Sequence, residues 1–288
     1  MTTSIPSHRL SLLLLLIVGA TLAAQNYADD GRDKRCVDGI ACIIEVETEA
    51  GTDLVAENLA GFPVTVSFYA RLRGYLAEPD NSLSLVLETG EKRRIVRLEP
   101  LGSSRRNKYR YWFDWSPGRM DAKHDDSYRY RLPYQTGQNY RVLQGFGSRF
   151  SHTGANRYAV DFKMPVGTAV HAARSGIVVL TEASHNRGCW EDGCGKYANF
   201  IVVLHDDGTT GEYFHLRQNG VLVSKNQRVS RGELIGYSGN TGHTTTPHLH
   251  FAVYRPGTWG KFESLPVRFR SREGDVEAPR AGGRYTAE

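Results

Sequence analysis

Two histidines, His248 and His250, flank one leucine and lead into Phe251-Ala-Val-Tyr254. That composition predicts a strand, and on a strand residues two apart project from the same face. Two imidazoles offered to one place can divide a task, one gripping a metal and the other facing what the metal holds. Three more residues supply partners. Asp161 lies in Tyr158-Ala-Val-Asp-Phe162, where a carboxylate is costly to bury unless it is paired or metal-bound. His215 lies in Tyr213-Phe-His-Leu216 and His152 in Phe150-Ser-His-Thr-Gly154. Polar residues at core-like positions of apolar strands mark places to look for a site. Two histidines and a carboxylate suit a hydrolytic zinc centre, and they also form the facial triad of non-haem iron oxygenases.

The elements that must position these side chains are strands joined by glycine turns. Helical periodicity is weak throughout. Short alternating runs at Pro63–Ala70, Leu83–Leu87, Ile95–Leu98, Tyr109–Phe113 and Tyr128–Leu132, with turn residues between them, predict a small β-sandwich over roughly residues 36 to 135. Residues 25 to 60 read as a polar lead-in. No catalytic constellation is visible in that half. His124 among Asp121, Asp125 and Asp126 reads as a solvated turn rather than a cation site, and the half as a spacer, a lid or a wall-binding module. Pro133–Gln138 reads as a linker. Beyond it, Val166–Val170 and Gly176–Leu180 are predicted to pair. Asn199–His205 and Gly211–Leu216 flank an Asp206-Asp-Gly208 turn, a hairpin signal.

The chain has 288 residues, 40% hydrophobic and 23% charged, which suits a soluble protein with two ordinary domains. Its formal charge of +5 favours contact with an anionic surface, without a Lys/Arg block or an aromatic-basic nucleic-acid signature. His8 and Arg9, the apolar run Leu10–Val18 and small residues through Ala24 predict a signal peptide over residues 1–24. The run is short for a membrane span, so export without stable membrane insertion is expected. In an oxidising compartment the pairs Cys36 with Cys42 and Cys189 with Cys194 are expected as two local disulfides rather than a four-thiolate zinc site.

Several motifs in order resemble the lysostaphin/LytM-type zinc metallopeptidases: His152-x-Gly154 with Asp161, Pro165-Val-Gly-Thr168, Ala172-Ala-Arg-x-Gly176, Tyr213-x-His-Leu216, Gly239-Asn-Thr-Gly242 and His248-Leu-His-Phe251. The resemblance covers about residues 140 to 270. It implies an antiparallel β-sheet (barrel-sandwich hybrid) peptidase domain at 139–270, and leaves outside it the N-terminal β-rich domain at 25–135 and a C-terminal tail at 271–288. It also implies an exported, wall-associated zinc endopeptidase that hydrolyses peptide cross-links of bacterial peptidoglycan, with a metal-activated water as nucleophile. By the resemblance, His152, Asp161 and His250 are the zinc ligands, and His215 and His248 the catalytic pair. A relative that has lost activity and only binds or regulates the wall is the alternative.

One departure stands out. The family's first histidine and aspartate are four apart, as H-x-G-x-D, whereas nine positions separate His152 from Asp161. Arg157 stands four before the aspartate and, being always protonated, is no ligand. Extra residues at Ala155–Ala159, in a turn that tolerates them, keep His152 as the expected ligand. His171 reads as a packed residue, and His185 and His205 as loop and strand-end residues. His243, close to the paired-histidine strand, and Trp190, in a disulfide-stapled loop of the kind that borders the groove in the family it resembles, are candidates for substrate contact.

Overall fold

A computed structural model describes residues 34–103 and 106–288; the expected signal peptide lies outside them. Apart from two short 3₁₀ turns, the described residues form strands and loops. The N-terminal part contains a five-stranded antiparallel sheet and a three-stranded one that enclose a single apolar cluster. Its strands alternate. In Lys108–Pro117 the side chains of Tyr109, Tyr111, Phe113 and Trp115 turn inward, with Tyr111 and Trp115 buried, while Lys108, Arg110 and Trp112 are exposed.

The stretch read as a polar lead-in is structured from Lys34 onward. Lys34–Val37, Ala41–Thr48 and Gly51–Asn58 pair in succession. Its alternation is real but veiled, because Glu45 and Glu47 continue the inward face of Ala41 and Ile43, where the Tyr109 and Tyr111 hydroxyls donate to Glu45, while Asp53 takes the other face and pairs with Arg97. Cys36–Cys42 and Cys189–Cys194 are disulfides, which removes the four-thiolate alternative.

The second half is built on a nine-stranded sheet. Its central strands run, side by side, Gly176–Glu182, Phe200–Leu204, Thr210–Phe214, Leu249–Pro256, Val160–Phe162 and Asn139–Gln144, with every neighbouring pair antiparallel. The Phe200–Leu204 and Thr210–Phe214 hairpin turns at Asp206-Asp-Gly208 as predicted. One face carries Val142, Val160, Phe162, Ile201, Val203, Tyr213, Phe251 and Val253 into the main core. The opposite face is shared. Val179, Val202 and Leu204 join the N-terminal apolar cluster, and further across the same face lie the polar residues described below. The N-terminal part therefore packs beside the site, on its side of the sheet.

Three expectations are corrected by packing. Val166–Val170 and Gly176–Leu180 are not partners: Ala169–His171 pairs with Leu234–Ser238, and Gly176–Glu182 with Phe200–Leu204. Pro133–Gln138 does not run free, since Tyr134 is fully buried and its hydroxyl donates to the Tyr285 carbonyl at 2.6 Å. Residues beyond 270 are woven in as well: Arg284–Thr286 extends the sheet beside Asn139–Gln144, and Ala287 is buried. His205, read as a strand-end residue, is buried and kept neutral, its pKa pushed down to about 3 by burial and then by the Arg174 charge.

Candidate metal centre

Strand register builds the site. Val160–Phe162 pairs with Leu249–Pro256 so that Asp161 faces His250 directly, and Phe214 faces His250 from the other side. Directly opposed residues share a face with their Cβ atoms about 5 Å apart. Asp161 and His250 therefore meet without any loop having to bring them together. His250 Nδ1 is 2.9 Å from Asp161 Oδ1.

His152 joins them from the loop between Asn139–Gln144 and Val160–Phe162. The additional residues that lengthen its spacing to Asp161 form the 3₁₀ turn Gly154–Asn156. That turn is pinned to the sheet. The Tyr254 hydroxyl donates to Asn156 Oδ1 at 2.6 Å, and the Tyr158 amide to Ser264 Oγ at 2.9 Å. His152 is 1% exposed, and its Nε2 lies 3.2 Å from Asp161 Oδ1. The ligand atoms of His152, Asp161 and His250 all fall within 4.8 Å of one another. Donors on a tetrahedral zinc at about 2.0–2.1 Å stand roughly 3.3 Å apart, close to the spacings found here.

Hydrogen bonds fix the imidazoles. Carbonyls only accept, so the Nδ1–H of His152 donates to Gly145 O at 3.1 Å, that of His215 to Thr241 O at 2.7 Å and that of His248 to Thr246 O at 2.7 Å. In the neutral ring each then carries its lone pair on Nε2. His152 Nε2 is buried and makes no well-formed hydrogen bond, despite its proximity to Asp161. A buried nitrogen acceptor without a donor, aimed at a carboxylate oxygen, is the signature a cation would satisfy. The residues fit a divalent metal with N/O preference.

Asp161 itself is oriented by a residue that the sequence reading missed. Gln144 Nε2 donates to Asp161 Oδ2 at 2.7 Å, which leaves Oδ1 toward the histidines. Gln144 Oε1 accepts from the Ser151 amide and Ser148 hydroxyl, tying the His152 loop to the same carboxylate. Its only sequence signal was a polar residue ending the Tyr140–Leu143 run. Burial alone would raise the Asp161 pKa, but the adjacent imidazoles of His248, His152 and His250 outweigh it and hold the carboxyl well below the ordinary range.

His215 and His248 sit beside this trio with ring centroids 4.5 Å apart. His248 Nε2 is 3.8 Å from Asp161 Oδ1. His215 closes the strand Thr210–Phe214 in a left-handed backbone conformation, φ +65°, that strands do not use. Strain of this kind in a non-glycine residue is retained where the surroundings over-determine it. Thr241 does so: its carbonyl holds His215, and its hydroxyl donates to the Leu216 carbonyl at 2.7 Å. Gly239 beside it bridges to His248, and a Cβ there would lie 2.3 Å from the Arg217 nitrogen. Burial, then the neighbouring His248 and His250, hold the His215 pKa well below its usual value, so this ring is neutral.

A cleft of about 210 Å³ opens over all five residues. At its rim Phe150 stacks on Trp190 at 5.1 Å, and Trp190 meets His243 edge-on at 4.1 Å. Gly188–Cys189, stapled to Cys194, pairs with Gly242–His243 and so holds Trp190 against the cleft. His171 is bonded to the Gly232 carbonyl and does not line the cleft.

On the same sheet face, Glu212 opposes Ala252, two residues from His250 along the strand. It is buried, and desolvation pushes its carboxyl up to about 8. The folded pKa exceeds the unfolded one, so this group's stability is intact below about pH 4.5 and is lost as pH rises through about 8. Glu212→Gln should flatten that decline. We expect it to raise unfolding free energy near pH 8 by roughly 2–4 kcal/mol, as read from denaturant titrations at pH 5 and pH 8.

A buried His/Asp/His cluster with two neutral-capable histidines alongside, open to a cleft, defines a metal centre of the metallopeptidase type. Residues 155–261 match the model of Peptidase family M23, and the chain carries an M23 domain. The match begins three residues past His152. The peptidoglycan DD-endopeptidase ShyA of Vibrio cholerae serotype O1 is 36% identical over 137 residues, 46% of this chain and 29% of that protein. The glycyl-glycine endopeptidase ALE-1 of Staphylococcus capitis is 40% identical over 117 residues, 39% of this chain and 29% of that protein. A solved structure of lysostaphin from Staphylococcus simulans aligns with a TM-score of 0.33 at 31% identity, covering 43% of this chain and 47% of that one. The chain thus spans less than a third of the length of these curated relatives.

Proposed function

We propose that this protein is an exported zinc-dependent endopeptidase that hydrolyses peptide cross-links of bacterial peptidoglycan. The observation that carries the reading is the orphaned, buried His152 Nε2 beside Asp161 and His250, with His215 and His248 turned to the same point. The names of the relatives, a DD-endopeptidase and a glycyl-glycine endopeptidase, support the substrate class.

His152 Nε2, Asp161 Oδ1 and His250 Nδ1 would hold the zinc, which when bound supplies Lewis acidity that polarises a carbonyl and acidifies water. The remaining work belongs to the chain. In its neutral form His248 presents the Nε2 lone pair to the centre, because its Nδ1–H is committed to Thr246. It takes the proton of the attacking water and returns it to the leaving amine. His215 is held in the same tautomer and kept neutral by burial, so it has no Nε2–H with which to stabilise an oxyanion. Its role is to accept a hydrogen bond from the water and aim it.

The test is digestion of purified sacculi followed by mass spectrometry of the muropeptides. Cross-linked dimers should fall and uncross-linked products rise, and a chelator should stop the change. An unchanged profile at one zinc per chain would leave the protein without the proposed activity. Trp190, 46% exposed at the cleft rim, should act on binding rather than chemistry. Trp190→Ala is expected to raise KM for a cross-linked dimer about tenfold, roughly 1.4 kcal/mol of lost contact, with kcat little changed in steady-state kinetics.

A further inference from the structure

The outward face of the N-terminal three-stranded sheet is unlike the rest of the surface. The strands Val64–Arg73 and Lys108–Pro117 pair so that Tyr69 faces Trp112, Arg71 faces Arg110 and Arg73 faces Lys108. These six side chains point away from the core that Phe68, Ala70 and Tyr111 enter. Tyr69 and Trp112 stack at 5.8 Å with their planes 22° apart, and the Arg71 guanidinium lies 5.9 Å over the Trp112 ring. Rows on one strand face repeat about every 7 Å, so an aromatic row is followed by two cationic rows.

On the neighbouring five-stranded sheet, cations are matched by carboxylates: Lys34 and Lys92 with Glu57, Arg93 with Glu91, Arg94 and Arg97 with Asp53. Arg35 of that sheet lies over the Tyr111 ring at 4.8 Å. Among the described residues Arg71, Arg73, Lys108 and Arg110 have no carboxylate partner. Like charges directly opposite on a ladder destabilise a sheet, and here two such pairs are adjacent. The other half of the face is closed, because Thr65 donates to the Gly118 carbonyl and Ser67 receives the Trp259 amide. Only the aromatic and cationic end is open.

We propose that this open face is a second binding site, separate from the cleft, for the polymer of peptidoglycan: sugar ring faces stack on Tyr69 and Trp112, and stem-peptide carboxylates pair with Arg71, Arg73, Lys108 and Arg110. The polymer's identity rests on the endopeptidase reading above; the anion- and ring-binding character of the face does not. Charge complementarity selects an anionic partner. A single aromatic row with two cationic rows suits a polymer of isolated rings and carboxylates, whereas single-stranded nucleic acid is held by successive stacked bases.

The test uses the full chain and its Arg71→Glu and Trp112→Ala variants in three measurements: retention on purified sacculi, retention on a single-stranded oligonucleotide, and cleavage of a soluble cross-linked muropeptide dimer. Sacculus retention should fall about tenfold or more for Arg71→Glu and ease with added salt in the wild type. Dimer kcat/KM should stay within about twofold. Because the carboxylate introduced by Arg71→Glu would face Arg110, the melting temperature of that variant should hold or rise while binding falls, an opposition that mere misfolding does not produce. If both variants keep full sacculus retention, or if only oligonucleotide retention falls, the proposal is overturned. If no variant nor the wild type cleaves anything, yet Arg71→Glu still loses sacculi, the endopeptidase reading fails and the binding face stands.

Discussion

Asp161→Asn is expected to leave the protein without bound metal and to slow cleavage of cross-linked muropeptides by about 10³-fold or more. The substitution is nearly isosteric, so the strand pairing of Val160–Phe162 with Leu249–Pro256 survives. What changes is charge. Asp161 Oδ1 is the one anionic atom facing His152, His248 and His250, and its second oxygen is already committed to Gln144. Two neutral imidazoles and an amide hold zinc far more weakly than two imidazoles and a carboxylate, because the hard anionic donor is gone. The metal-free variant should melt close to the metal-free wild type, whereas the rise in melting temperature that zinc gives the wild type should vanish. Metal analysis after dialysis, with melts at increasing zinc, reads both. Full zinc content in Asp161→Asn would remove the aspartate from the ligand set.

His248→Ala separates chemistry from metal binding. The variant should keep its zinc, since His248 Nε2 stands outside the compact trio at 3.8 Å from Asp161. Loss of a positioned general base costs about 10²- to 10⁴-fold. That loss should appear equally in kcat and kcat/KM, the pattern of an interaction made only in the transition state. A drop in zinc content parallel to the drop in rate would instead make His248 a ligand. A rate within about threefold of wild type would take the proton transfer away from it.

Much of the site was legible because it violates local expectation. A carboxylate in Ala159-Val-Asp-Phe162 and two histidines heading Phe251-Ala-Val-Tyr254 break apolar strands, and the register that sets Asp161 against His250 turns those two violations into one place. His152 was harder, because spacing in sequence does not measure distance once a loop is folded back. The 3₁₀ turn at Gly154–Asn156 and its anchors on Tyr254 and Ser264 absorb the additional residues. Gln144 left only the signal of a polar residue ending an apolar run. A glutamine at a strand end looks the same whether it faces water or a buried carboxylate. Nor could the pattern around His215 reveal its left-handed backbone, which the Thr241 contacts impose from another segment.

In the fold, alternation identified most strands but, apart from the hairpin at Asp206-Asp-Gly208, not their partners. Val166–Val170 and Gly176–Leu180 are close in sequence, yet each finds a distant strand, because at the bend between them the backbone of Ala172 and Ala173 bonds to Gly232, Glu233 and Arg131. The polar stretch at Pro133–Gln138 resembles a linker in sequence, but Tyr134 packs edge-on against Tyr140 and Phe162 and anchors it.

The most direct test titrates metal-free protein with zinc while following cleavage of a defined cross-linked muropeptide, in wild type and in His152→Ala. We expect wild-type activity to rise linearly and saturate at one zinc per chain, and His152→Ala to remain inactive over the same range. Activity independent of zinc, or a His152→Ala chain that saturates at the same point with the same rate, would contradict the centre described here.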